Sequence, residues 1–389
     1  MQLANRHIVV VGLGKTGEAL CRFLLHQGAS VTATDRHPAE ALGDAAVRLA
    51  QLPVRLELGG HNEQTFTAAD MILVSPGVAH TIAPIAAAKA ANVPVIGEIE
   101  LAWRFINAPI VAVTGTNGKS TATALIGRML SASGVDVFVG GNIGTPLIAY
   151  ADGGRAADVV VAEISSFQLD TIVDFRPRVG VLLNITADHL DRYADFDAYA
   201  RSKARLFENQ QPGDTAVLNG AHAAVVRVCA DAAGRKCFFY PEAGCECGAF
   251  IDDTGFTLRM PETGEIRVRN ADIPLVGRHN RENAAAAALA AFSAGGNTAG
   301  VLNGLRGFVP DFHRMQYVAT IDGVAFRDDS KATNVDAAAR AIEAVDGPVV
   351  LIAGGRDKGG GYSGLRQPVK RAVKTIVVLG EAAQNIADA

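Results

Sequence analysis

Read from the amino terminus, short apolar runs alternate with longer stretches in which apolar residues recur every three or four positions. The runs at 7–11, 30–34 and 71–74 predict strands, and the periodic stretches at 17–26 and 82–91 predict helices. That alternation implies a parallel sheet covered by helices. The pattern restarts after 107–109, where a strand at 110–113 runs into a glycine loop. Strands at 159–163 and 179–183 follow, then a helix over 197–208. The turn-rich stretch 240–274 predicts an antiparallel hairpin appendage, and a helix over 280–294 closes the block. The segment 307–311 reads as a linker. Beyond it, strands at 324–327, 349–353 and 376–379 alternate with helices at 335–344 and 367–372. The expected fold is α/β in three domains: 1–108, Rossmann-like; 109–307, P-loop-type; and 308–389, Rossmann-like but incomplete. The third holds few strands for a doubly wound domain and stops where another helix should begin.

Composition narrows the possible functions. A chain of 389 residues exceeds what one core usually serves. Net charge is 36 − 40 = −4, so no basic surface advertises nucleic acid or an anionic membrane. The alanine-rich run at 283–292 is about half of the ~20 apolar residues that a membrane helix needs. The amino terminus lacks a signal-peptide pattern, so a cytoplasmic, monomeric protein is expected. Five cysteines, at 21, 229, 237, 245 and 247, are odd in number and scattered, which fits unpaired thiols in a reducing compartment. Cys237, Cys245 and Cys247 leave zinc open, although no second ligand pair accompanies them.

The candidate chemistry starts at TGTNGKST (114–121), which follows an apolar strand and opens a helix. Glycines let backbone N–H groups turn toward phosphate oxygens, and the helix start adds partial positive charge. Gly115, Thr116, Asn117, Gly118, Lys119, Ser120 and Thr121 form this candidate ATP loop, with Lys119 on the phosphates and Ser120 on a divalent ion. Val113 stands where the usual P-loop has its first glycine, so the loop is a shortened variant. A second loop, GLGKTG (12–17), has the dinucleotide spacing, with Asp35 at the end of the next strand. It suits any nucleotide diphosphate and leaves an NAD-binding oxidoreductase as the rival reading. Gly14, Lys15 and Thr16 are its candidate contacts. Ser75, Pro76 and Gly77 are either a third anion loop or a plain turn. Glu163 and His189 end successive strands and suit Mg²⁺ held mainly by oxygens. Lys203, an isolated lysine on a helix, reads by itself as solvated surface.

Together these motifs resemble the Mur ligase family. The likeness rests on GLGKTG, SPG, TGTNGKST, GGNIG (140–144), EISSFQL (163–169), NITADHLDRY (184–193), GRHNRENAAAA (277–287), FHR (312–314), DDSKATN (328–334) and GGRDKGG (354–360). It implies ATP-dependent addition of D-glutamate to UDP-N-acetylmuramoyl-L-alanine, with ATP and Mg²⁺ as cofactors. By resemblance, Lys119, Glu163, His189 and a carbamylated Lys203 act at the phosphates and metals. Asn280, Asn283, Arg314 and Asp329 would complete the ATP site. Asn142, Ser165 and Gln168 would meet the muramoyl and alanyl groups. Lys331, Thr333 and Lys358 would take D-glutamate. The chain departs from the family at Asp35-Arg36-His37, where a threonine often follows the aspartate. The family's serine-rich loop and phenylalanine are not found after Ala389. A related ligase, such as an alanine- or diaminopimelate-adding enzyme or a folylpolyglutamate synthase, and a binding-only homologue are the remaining alternatives.

Overall fold

Valine- and isoleucine-rich runs become strands of two sheets and of a smaller C-terminal region. A computed structural model describes the chain except residues 242–244, 246, 262–263, 311 and 358–360. In the first sheet β1 (His7–Val11), β2 (Ser30–Asp35), β3 (Arg55–Leu58), β4 (Met71–Val74) and β5 (Val95–Gly97) run parallel in the order β3-β2-β1-β4-β5. The chain reverses its direction of travel across the sheet after β3, so β1 and β4 flank the switch point. GLGKTG follows β1 and SPG follows β4, at the carboxyl ends of these two strands.

The second sheet has nine strands. They are β6 (Ile110–Thr114), β7 (Val137–Gly141), β8 (Val159–Glu163), β9 (Val179–Leu182), β10 (Thr215–Asn219), β11 (Arg235–Phe239), β12 (Gly248–Asp252), β13 (Gly255–Met260) and β14 (Gly264–Arg269). Their order is β14-β13-β12-β11-β10-β9-β6-β8-β7, parallel from β7 to β12 and antiparallel beyond. The stretch expected to form a hairpin appendage is therefore the edge of the main sheet. Phe256, Leu258 and Val268 join the central core from it. Helix Arg278–Ser293 lies across this sheet with Ala284 through Ala291 fully buried. A helix enclosed on all sides needs small residues, which accounts for its alanines.

The expectation of unpaired thiols fails at one place. Parallel pairing of β11 and β12 brings Cys237 and Cys247 to a Cα separation of 5.2 Å, and their sulfurs are bonded. Cys245 stays free, and among the described residues no group of three His, Cys, Asp or Glu side chains suits a metal. None of the described helices is long and apolar enough to cross a membrane.

The C-terminal region pairs β15 (Gln316–Ile321) with β16 (Val324–Asp328) antiparallel, and β17 (Val349–Gly354) with β18 (Val373–Leu379) parallel. β15 was not anticipated; its partner was. Helix Val335–Glu343 turns its amino-terminal end toward the glycine loop after β6.

Two buried carboxylates fasten the first sheet to the second. Glu100 Oε2 accepts from the N–H groups of Val173, Asp174 and Phe175 at 2.9, 3.1 and 2.9 Å, while Oε1 meets Arg104. Glu98 accepts from Ile148 N at 2.7 Å and is enclosed completely. Burial pushes its pKa up to about 7, against the N–H donors of Ile148 and Leu147. A carboxyl raised on folding favours its protonated form, so stability should fall as pH rises from about 4.5 to 7 and level off above. Glu98→Gln is expected to flatten that decline, read as melting temperature against pH over this window.

Candidate functional site

The site gathers where β6, β8 and β9 end. Helix Lys119–Ala132 starts directly after Gly118, whose φ is +86° and whose missing Cβ would stand 2.3 Å from Asn283 Oδ1. Only glycine permits that approach. The loop is braced by Asn184: its carbonyl accepts from Thr116 N at 2.9 Å and its side chain from Asn117 N at 2.8 Å. Lys119 Nζ donates to the carbonyls of Gly115 and Thr116 at 3.0 and 2.8 Å. Burial lowers its pKa, while Glu163 and Asp188 oppose the shift. An ammonium parked on two carbonyls, with no full counter-ion contact, is poised to receive phosphate oxygens.

Glu163 is 2% exposed; one oxygen accepts from Asn142 Nδ2 at 2.8 Å and the other is buried with no hydrogen-bond partner. Such an oxygen suits a cation. Gly141 brings the 140–144 loop within reach: at φ +100° its absent Cβ would meet Glu163 O at 2.5 Å. His189 is held at φ +55°, an unusual state for histidine, with its ring edge-on to Phe167 at 4.9 Å. Ser120 is buried at the helix start. Glu163, Ser120 and His189 supply few protein donors, which fits Mg²⁺ completed by phosphates and water.

Lys203, read from sequence as a surface residue, is 1% exposed. It lies on helix Phe196–Ala204, one turn beyond Tyr199. Its Nζ donates to Gly115 O at 2.9 Å and sits 4.6 Å from the centre of the Tyr199 ring. Burial first, and then neighbouring Lys119, depress its pKa well below the ordinary lysine value. The burial favours the uncharged amine at a position where sequence alone suggested a solvated cation.

A cleft opens from Gly118 between the second sheet and the C-terminal region. Asn117, Thr121, Asn280, Asn283, Arg314, Asp329 and Lys331 line it. Arg314 Nε is buried there without a hydrogen-bond partner. Burial raises the Asp329 pKa, although Met315 N donates to it at 3.0 Å. Thr333 is exposed and is not among the lining residues, so the structure does not bring it to Lys331 in this cleft. Lys358 lies outside the described residues.

Sequence reasoning missed the contact that joins the two walls. Asn117 Nδ2 donates to Asp336 at 2.8 Å, and Asn334 Nδ2 donates to Asn117 Oδ1 at 2.9 Å. Arg340 bridges Asp336 and Glu282 at 3.0 and 3.4 Å. The four-residue spacing of Asp336 and Arg340 was visible as a helix pair; its position over the loop was not.

On the first sheet, Asp35 accepts from Leu13 N and His37 N at 2.8 and 2.9 Å. Burial works to raise its pKa, and the donors from His37 and Leu13 hold it below the usual range. The carboxylate is thus occupied in shaping the loop. Gly14 and Lys15 are exposed, Thr16 half-buried, and Lys15 reaches the Gly144 carbonyl in the loop after β7. Ser75 Oγ donates to Gly12 O at 2.7 Å, which ties SPG to GLGKTG; Pro76 and Gly77 extend that turn. Facing them, Ser165 caps helix Ser166–Leu169, and Gln168 returns a bond to Ser165 N at 2.9 Å.

Three stretches of the chain match family descriptions: residues 6–97 the "Mur ligase MurD-like, N-terminal domain", 113–291 the "Mur ligase middle domain", and 313–389 the "Mur ligase, glutamate ligase domain". A UDP-N-acetylmuramoylalanine–D-glutamate ligase of Desulfosudis oleivorans is 49% identical over 386 residues, 99% of this chain and 84% of that protein. The chain belongs to the Mur ligase family. A second relative of the same name, from Desulfatibacillum aliphaticivorans, is 48% identical and covers 100% of this chain and 86% of its own. Among solved structures, MurF of Acinetobacter baumannii superposes with a TM-score of 0.61 at 17% identity, covering 98% of this Mur ligase and 82% of MurF. MurC of Thermotoga maritima gives 0.57 at 17%, covering 99% and 88%. These two likenesses establish the three-domain α/β fold of this Mur ligase. The dinucleotide-type loop falls within the stretch that matches the MurD-like N-terminal domain, so the ligase family and not the oxidoreductase reading accounts for it.

Proposed function

We propose that this Mur ligase joins D-glutamate to UDP-N-acetylmuramoyl-L-alanine at the expense of ATP, in the cytoplasmic stage of peptidoglycan precursor synthesis. The observation that supports it most is the meeting of Lys119 and buried Lys203 on the Gly115 carbonyl, with the Glu163 charge acting on Lys119, in a chain nearly half identical to proteins of that name. The domains divide as 1–108 for the UDP substrate, 109–307 for ATP and 308–389 for the amino acid.

The alanyl carboxylate oxygen attacks the γ-phosphorus, the bond to the β-bridging oxygen breaks, and ADP leaves. The amine of D-glutamate then attacks the acyl carbon of the acyl phosphate, and the tetrahedral intermediate expels phosphate as the amine loses its proton. Both steps depend on placement and on cancelling oxygen charge. Lys119 moves from its two carbonyls to the phosphates. Asn280, Asn283, Arg314 and Asp329 hold the nucleotide from either wall, with Gly115–Thr121 beneath it. Ser120, Glu163 and His189 would hold Mg²⁺, which would supply charge neutralisation at the transferring phosphoryl group. The depressed pKa of Lys203 leaves a nucleophilic amine able to combine with CO₂, so that it becomes a carbamate anion beside those cations. By family resemblance, Gly14, Lys15, Thr16, Asp35 and Ser75–Gly77 would serve the UDP group, Asn142, Ser165 and Gln168 the muramoyl-alanine, and Lys331, together with Thr333 and Lys358, the glutamate carboxylates.

The test is ADP release coupled to a spectroscopic assay, with UDP-N-acetylmuramoyl-L-alanine present and D-glutamate, L-glutamate, L-alanine or diaminopimelate offered in turn. Turnover with D-glutamate alone is expected. Equal or greater turnover with another amino acid would replace this reading with that of a related ligase, and nucleotide binding without turnover would leave a binding protein.

A further inference from the structure

Asp170 follows helix Ser166–Leu169 as its C-terminal cap. One of its oxygens accepts from Ser202 Oγ at 2.6 Å, and the other from Tyr193 Oη at 2.8 Å. Ser202 Oγ also lies 3.1 Å from Ser166 O and 3.2 Å from Tyr193 Oη. The two donors come from separate places in the site. Ser202 is 4% exposed and immediately precedes Lys203. Tyr193 is four residues beyond His189, and its ring stacks on Phe167, 5.9 Å away and nearly parallel. Phe167 in turn meets the His189 ring.

We propose that Asp170 is a positioning residue for the ligation. It clasps the turn bearing Ser165 and Gln168 to the helix bearing Lys203 and to the loop bearing His189. The proposal deepens the function given above and rests on it. An ionised acceptor makes short, directional bonds to hydroxyl donors, and here both carboxylate oxygens are used. Removing it takes the shortest acceptor from the buried Ser202 hydroxyl, next to Lys203, and from the half-buried Tyr193 hydroxyl. Between the substrate turn and the lysine helix only the longer bond from Ser202 Oγ to Ser166 O, at 3.1 Å, then remains. Misplacement of reacting groups by about 1 Å costs about 100-fold in rate.

The experiment compares wild type, Asp170→Ala, Asp170→Asn, Ser202→Ala and the Asp170→Ala/Ser202→Ala double variant. ADP release is followed while bicarbonate is titrated into CO₂-depleted buffer, and melting temperatures are taken for each. Asp170→Ala is expected to lower kcat by about 10- to 100-fold, to leave KM for ATP within about twofold, and to raise the bicarbonate concentration for half-maximal activity. Asp170→Asn should recover to within about threefold of wild type, because its amide can accept from one hydroxyl and donate to the other. The double variant should lose less than the two single losses combined, since the two residues share one contact. A kcat within twofold of wild type in Asp170→Ala overturns the proposal. So does a loss that comes with a lower melting temperature and an unchanged bicarbonate response, the pattern of a merely structural role. A wild-type protein inactive with every amino acid overturns the proposed function itself, and is told apart because no variant is needed to see it.

Discussion

Lys119→Ala is expected to reduce ADP formation dependent on UDP-N-acetylmuramoyl-L-alanine by about a thousandfold or more, a size typical for a cation that offsets phosphoryl-transfer charge. The reason lies in where its ammonium rests. It is bonded to the Gly115 and Thr116 carbonyls at the base of the loop, beneath the point at which triphosphate oxygens would be cradled. The residue that could substitute, Lys203, has a depressed pKa and points to the same Gly115 carbonyl. Arg314 approaches from the opposite wall and serves another part of the nucleotide. The loss should appear in kcat more than in KM for the UDP substrate, because the hydrogen bonds of Lys119 are made to the loop after β6 and not to the loops of the first sheet. A Lys119→Ala enzyme retaining a tenth of normal turnover would remove this lysine from the phosphoryl step.

Lys203→Ala should cost about 100- to 1,000-fold in kcat, the range seen when one preorganised electrostatic group is removed from a site. Acetate or formate at high concentration should restore part of the activity, by placing a carboxylate where the carbamate would stand. The variant vacates buried space beside the Tyr199 ring and the Gly115 carbonyl, where a small carboxylic acid would stand. Rescue by sodium chloride to the same extent would mean that ionic strength, and not a carboxylate, is responsible. Full activity without any addition would end the carbamate reading.

Strands were legible where burial on both faces demanded unbroken apolar runs, as in HIVVV of β1 and VVVAE of β8, but β10, TAVLN, was missed although it is equally buried, because its run is short and flanked by polar residues. β11 was missed because RKCFF opens with two cations at its exposed end, and β3 because RLEL is a half-buried edge. The phosphate loop could be read from spacing alone, since its chemistry resides in backbone and neighbouring residues. Long-range partners left no local trace. Glu100 is satisfied by three N–H groups more than seventy residues away, and Glu98 by the start of a helix fifty residues on. Lys203 carried no sign of its burial, because what encloses it is Tyr199 and a loop from the far side of the sheet. The bond between Cys237 and Cys247 likewise follows from the registration of neighbouring strands, which odd and scattered cysteine spacing cannot reveal.

The fastening of the first sheet to the second through Glu98 and Glu100 has a bearing on inhibitor chemistry. A compound spanning GLGKTG and the Glu163 oxygen would meet two surfaces that are already set relative to each other. Little of its binding energy would go into bringing them together. Extending the compound to Arg314 and Asp329 changes the situation, because those groups sit on the wall held by Asn334, Asp336 and Arg340. Part of any gain there would be spent on seating that wall, so added atoms should return less affinity each as a compound grows across the cleft.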